Sequence, residues 1–179
     1  PSCCLRPDDE IAPGLGTWRE YLIQYNQQGS NPHGLYRAAD LYKPHVYRDL
    51  VKQYGWNNVF ILSAGWGLIR SDYLTPYYDI TFSKQGKPWA IRRPDDHYQD
   101  FNHLQEAELS EDERIYFFGG KDYLPLYYSL TEHIPGRKVI YHSQASLEVH
   151  EGYEYVIYRS HTNWHYSCAQ AFIADRVPK

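Results

Sequence analysis

Asp72 and Asp79 bracket an aromatic run, Tyr73 to Tyr78, inside a stretch of chain that has no sustained period. A carboxylate set among rings can activate water or stabilise a cationic sugar. A turn or cap role is the competing reading of either aspartate. Two glycine segments offer another kind of chemistry. In Ser63-Ala64-Gly65-Trp66-Gly67 the glycines let backbone approach a ligand closely while an indole offers a stacking face. In Gly119-Gly120-Lys121 amide N–H groups stand at a helix start, with a cation beside them, where anions are stabilised. Neither segment completes a phosphate-loop or dinucleotide fingerprint, so the glycines can equally be shaping tight strand-to-helix turns.

His161, His165 and Cys168 have a spacing that permits metal ligation, but a full zinc set needs Cys3 or Cys4 to arrive from far along the chain. Cys168 shares a helical face with Trp164 and Phe172 and reads as a small buried hydrophobe. Cys3 and Cys4 have no histidine near them in sequence, which argues against a catalytic thiol. The expectation is no metal and no cofactor.

The elements that position these residues follow from periodicity. Thr17 to Gln28 carries Trp18, Tyr21, Leu22 and Tyr25 at helical spacing and stops at Gly29. Lys43 to Tyr54 repeats the pattern, with Pro44 suited to a first helical position and Gly55 closing the end. Val59 to Leu62 is an unbroken apolar run, as expected of a central parallel strand covered on both faces. Arg70 to Arg93 reads as a long ordered loop with one short strand, and Pro94 to Ala107 as a surface helix with Tyr98, Phe101 and Leu104 on one face. Arg114 to Phe118 predicts a second buried strand, Asp122 to His133 a helix, Lys138 to Tyr141 and Tyr153 to Tyr158 two more strands. Asn163 to Arg176 predicts a closing helix capped by Thr162. Alternation of strands and helices predicts one α/β domain over 1–179, a doubly wound, largely parallel sheet with helices on both faces. Ligands then bind beyond the carboxyl ends of the strands.

Composition bounds the function classes. The chain has 179 residues, 42% apolar and 22% charged, ordinary for a folded domain. Nineteen tyrosines, five tryptophans and six phenylalanines supply flat faces with polar tips, suited to bases or sugars, although most such rings serve packing. A net charge of −4, without a basic run longer than a pair, argues against a strong nonspecific grip on duplex nucleic acid. Three cysteines without regular spacing point to a reducing cytoplasm. No stretch approaches the roughly 18 apolar residues of a membrane span, and the first residues do not read as a signal peptide. Ser2 and Cys3 read like the end of a strand, and removal of an initiator Met before Pro1 would look the same.

Three motifs together resemble the YaaA-like superfamily, which comprises the peroxide-stress protein YaaA and smaller uncharacterised bacterial and phage domains. They are Ala39-Asp40-Leu41-Tyr42 ahead of a helix; Ile61 through Ile69 (ILSAGWGLI) with Pro76-Tyr77-Tyr78-Asp79 about ten residues on; and Gly119-Gly120-Lys121-Asp122-Tyr123 after a strand. Relatives usually carry a Lys after an opening strand, which Ser2-Cys3-Cys4-Leu5-Arg6 lacks. The resemblance implies an α/β sheet, an association with nucleic acid and a pocket that handles a base.

The resulting expectation is a DNA glycosylase that flips a base, modified or not, into an aromatic pocket and hydrolyses its bond to the sugar. Asp79 faces the sugar, where positive charge develops. Asn163 and His165 read or protonate the base, and Trp66 and Tyr78 stack on it. Ser63, Gly65, Gly67 and Tyr123 complete the pocket, Gly119, Gly120 and Lys121 hold a flanking phosphate, and Arg92 and Arg93 track the strand. The partner is DNA or a nucleotide. The alternative is a noncatalytic protein that sequesters a nucleotide or damaged nucleic acid in the same pocket. A phosphotransferase or nucleotide hydrolase is disfavoured by the absence of a Walker-type loop.

Overall fold

The computed structural model describes residues 5–93, 95–143, 147–160 and 162–179. The expected strand end at Ser2 and Cys3, the opening residue of the expected helix at Pro94, and the candidate ligands Cys3, Cys4 and His161 lie outside the described residues.

The first helix, α1 (Trp18–Gln27), starts where the sequence provides a complete cap. The Thr17 hydroxyl accepts from the Glu20 backbone N–H at 3.3 Å, and the Glu20 carboxylate accepts from that of Thr17 at 2.9 Å. Its apolar stripe buries Leu22 and Tyr25. A two-residue strand β1 (Tyr36–Arg37) and a 3-10 turn over Ala38–Asp40 lead to α2 (Val46–Tyr54), which begins two residues after Pro44. Then come β2 (Phe60–Ser63) and β3 (Gly67–Arg70), β4 (Leu74–Thr75) and β5 (Phe101–Asn102). The second half is β6 (Arg114–Phe117), α3 (Leu124–Thr131), β7 (Arg137–His142), β8 (Tyr153–Ile157) and α4 (Trp164–Ile173).

The doubly wound, largely parallel sheet is not what these strands build. They form three small sheets: β1 antiparallel to β4, β2-β3-β5 of mixed direction, and β6-β7-β8 all parallel. The reason lies at Val59 to Leu62. Its apolar run turns back on itself, and β2 pairs antiparallel with β3 from Phe60 opposite Arg70 to Ser63 opposite Gly67. An apolar strand in a hairpin and one in a parallel sheet look alike when both faces are covered. Of the helix expected over 94–107, none is present in the described residues 95–107. Phe101 and Asn102 instead pair parallel to Gly67 and Leu68.

In the second half, alternating residues of β7 serve opposite cores. Ile140 packs with Phe117, Leu124 and Tyr127 on the α3 side. Val139 and Tyr141 pack with Cys168 and Phe172 on the α4 side. A separate core joins Leu22, Ala38, Ala39, Val51, Ile61, Trp66 and Phe101. Burying each large side chain contributes about 1.5–3 kcal/mol. Among the described residues no helix is long and apolar enough to cross a membrane.

Candidate functional site

Ser63 to Gly67 is the turn of the β2–β3 hairpin. Its hydroxyl closes it from within, the Ser63 oxygen accepting from the backbone N–H groups of both Gly65 and Trp66 at 3.0 Å. Gly67 has φ +82°, a left-handed conformation that favours glycine, and a side chain there would run into Phe101. At Gly65 a Cβ would sit 3.1 Å from the Tyr78 ring. The turn therefore brings Tyr78 down against backbone.

Tyr78 is the centre of a tyrosine cluster. Its hydroxyl shares a hydrogen bond with that of Tyr42 at 2.7 Å. Tyr42 stacks on Tyr47 at 4.7 Å between ring centroids, and Tyr47 meets Tyr166, from the first turns of α4, edge-on at 6.0 Å. Tyr123, between the glycine pair and α3, lies close enough to bear electrostatically on Tyr42, Tyr47 and Tyr78. Burial pushes the Tyr78 phenol up to about 12, with hydrogen bonds from Ser63 and Tyr42 pulling the other way. Burial also raises Tyr42 and Tyr47 well above their ordinary value. All three are protonated at neutral pH. They donate hydrogen bonds and do not act as phenolate nucleophiles.

The expected site residues divide into three groups. Ser63, Gly65, Tyr78 and Tyr123 come together in this cluster. Gly119 and Lys121 meet Trp164, at the start of α4, around a hollow of only about 20 Å3, which Tyr141 and His142 also line. Gly119 packs over the ring of Phe117, and Gly120 precedes a three-residue 3-10 turn that leads into α3. Asn163 is exposed at the head of α4 in a left-handed conformation (φ +61°), and it, not Thr162, is the N-cap, without a side-chain capping bond. His165 is half-buried with its ring 4.0 Å from that of Tyr166. Burial holds its imidazole below the usual value, so it is neutral at pH 7. Asp79 is exposed, with no hydrogen bond or ion pair among the described residues.

Two expected ligand contacts have other employment. Trp66 is completely buried, packed between Tyr78 and Phe101, because the hairpin folds its indole into the core beneath α1; it has no free face to stack on a base. Arg92 is buried too. Its guanidinium makes a bidentate pair with Asp100 (2.7 and 2.8 Å), donates to the Ala64 carbonyl at 3.1 Å and lies 4.0 Å over the Tyr98 ring. It fastens the hairpin turn and cannot also track a strand. Arg93 is exposed, its backbone N–H donating to Asp96. Cys168 is fully buried, and burial pushes its thiol up to about 12. Among the described residues no group of three or more His, Cys, Asp or Glu is placed to hold a metal.

A far larger cavity, about 760 Å3, opens elsewhere, between α1, β1 and the segment after β3. Tyr73, Asp72, Arg70, His103, Asp40 and Glu106 line it. Of these only Asp72 stands out in the sequence as a candidate carboxylate. Here it pairs with Arg70 at 2.8 Å. No motif joins its walls, which come from residues 23 to 106.

No protein-family model, curated protein or solved structure matches this chain.

Proposed function

We propose that this chain is an N-glycosidase of the DNA glycosylase type, excising a base held at the tyrosine cluster. The observation that carries the reading is the position of Asp79. Its exposed carboxylate directly follows Tyr78, whose phenol is tied to that of Tyr42. In the reaction water adds to the anomeric carbon while the bond to the base nitrogen breaks, its electron pair leaving with the base. The water proton passes to solvent or to the departing base. Asp79 stabilises the positive charge on the sugar, and protonated tyrosines, Asn163 and the neutral His165 donate hydrogen bonds to the base. Tyr78, rather than the buried Trp66, supplies the ring face. Lys121 and Arg93 remain for phosphates. The motif-level resemblance to the YaaA-like superfamily supports the same reading and a DNA or nucleotide partner, and three cysteines without regular spacing support a cytoplasmic setting.

The test is release of free base, with an abasic site left behind, from oligonucleotides bearing ordinary and modified bases. Asp79→Asn lowers turnover about 100-fold, roughly 3 kcal/mol, and leaves affinity nearly unchanged. Full turnover by that variant ends the assignment.

A second reading, noncatalytic binding of a nucleotide or damaged nucleic acid, is favoured by two facts: the hollow beside Gly119 is small, and no hydrogen bond or ion pair orients Asp79 among the described residues. Saturable binding without base release distinguishes it.

A further inference from the structure

We infer that the 760 Å3 cavity is a second binding site, for a neutral ring bearing several hydroxyl groups, the chemistry shared by nucleosides and sugars. The inference stands apart from the glycosidase reading, since the cavity includes none of the tyrosine-cluster residues.

Two buried polar side chains in the wall point to a ligand. Tyr73 is 7% exposed, and its hydroxyl has no hydrogen-bond partner among the described residues. His103 is 8% exposed, and its Nδ1 accepts the backbone N–H of Arg70 at 3.1 Å. That contact fixes the tautomer, leaving Nε2–H as a donor with no partner among the described residues. Buried polar groups are ordinarily satisfied, so the orphaned Tyr73 hydroxyl beside an open cavity marks an atom that a ligand can complete, with the His103 Nε2–H as a second donor.

Charge selects the ligand class. Three carboxylates and two guanidiniums line the space, and Arg70 is already committed to Asp72. Arg37 lies over the Trp56 ring at 4.8 Å. Arg37 makes no hydrogen bond or ion pair among the described residues, but with three carboxylates against two guanidiniums the lining is net negative, which disfavours a phosphate. Asp40 and Glu106 are exposed and make no hydrogen bond or ion pair among the described residues, so they are acceptors open to hydroxyl donors. Tyr36, half exposed, offers a flat apolar wall for a ring. Acceptors at the rim, two donors in the wall and an aromatic face fit a polyhydroxylated ring better than either an anion or a simple cation.

The experiment is calorimetric titration of the full chain with adenosine, uridine, methyl β-glucoside and adenosine 5′-monophosphate. At least one of the three neutral probes binds saturably, and nucleosides binding while the glucoside does not, or the reverse, identifies the source. Adenosine monophosphate binds more weakly than adenosine. Glu106→Gln and Tyr36→Ala, both at exposed positions that do not threaten folding, each weaken the neutral ligand roughly tenfold. No saturable binding of any neutral probe up to about 5 mM, tighter binding of the monophosphate, or unchanged affinity in both variants overturns the inference. Base-release activity is scored separately, so loss of one does not pass for loss of the other.

Discussion

The tyrosine cluster and the large cavity use the same residue types to opposite ends. In the cluster, the Tyr42 and Tyr78 phenols pair with one another, and a buried Arg92–Asp100 pair holds the turn beneath them. In the cavity, the ion pair is Arg70–Asp72 at the surface, and the buried Tyr73 and His103 are left with capacity to spare. A network whose phenols bond one another serves as a scaffold. An unsatisfied wall is a recognition surface. The difference teaches that aromatic richness alone does not locate binding.

Breaking the scaffold should be the costlier act. Asp100→Ala strands the Arg92 guanidinium in the interior, with an expected loss of about 3–5 kcal/mol in urea unfolding. If that loss is below 1 kcal/mol, roughly, the pair does not hold the turn. The cavity should reveal itself through pH. Burial is the main cause, aided by the Arg70 and Arg19 charges, holding His103 down at about 4, below its ordinary 6.5. As pH falls the unfolded chain therefore takes up this proton first. The contribution of His103 is complete above pH 6.5 and is lost between 6.5 and about 4, at about 1.4 kcal/mol per pH unit where the difference in protonation is full. His103→Gln should flatten that part of the stability profile, and an unchanged profile removes His103 from the account. Tyr78→Phe deletes the hydroxyl bonded to that of Tyr42 and should cost about 1–3 kcal/mol in thermal or urea unfolding. Least of all, Asp72→Asn breaks a solvent-exposed pair and should change stability by about 0–1 kcal/mol.

Helices were legible because each carries its own signal. The Trp18, Tyr21, Leu22, Tyr25 stripe and the Thr17–Glu20 cap are local, and α1 follows them within a residue. Strand direction was not. Nothing between Val59 and Ile69 distinguishes a hairpin from a strand that runs on into a helix, since Leu68 and Ile69 are too few to announce a second strand. Tyr98, Phe101 and Leu104 have helical spacing, yet Asp100 is claimed by Arg92, eight residues before it, and Phe101 by Gly67, thirty-four residues before it. Tertiary demands of that kind override local pattern. The motifs at Ser63–Gly67 and Tyr78 did mark residues that meet, Gly65 lying against the Tyr78 ring, with Tyr123 near enough to bear on it electrostatically. They did not reveal that Trp66 points inward, because an indole between glycines reads the same whether it faces solvent or core. The cavity left no trace, its buried groups Tyr73 and His103 being thirty residues apart.

The Arg92 contact with Ala64 bears on how this chain tolerates change in length. The excursion between them is closed near its far end, where the Thr81 backbone bonds to Ala90 and Arg92 at 2.8 and 2.9 Å. Residues 83–89 form a loop whose ends are already joined. Doubling a flexible loop costs only about 0.6 kcal/mol. A segment inserted at Lys84 or Gln85, both exposed, would therefore leave the hairpin turn and Tyr78 where they are. The same segment inserted between Asp96 and Asp100 would unseat the guanidinium's partner. This fold can vary in length on one side of Arg92, and on the other it cannot.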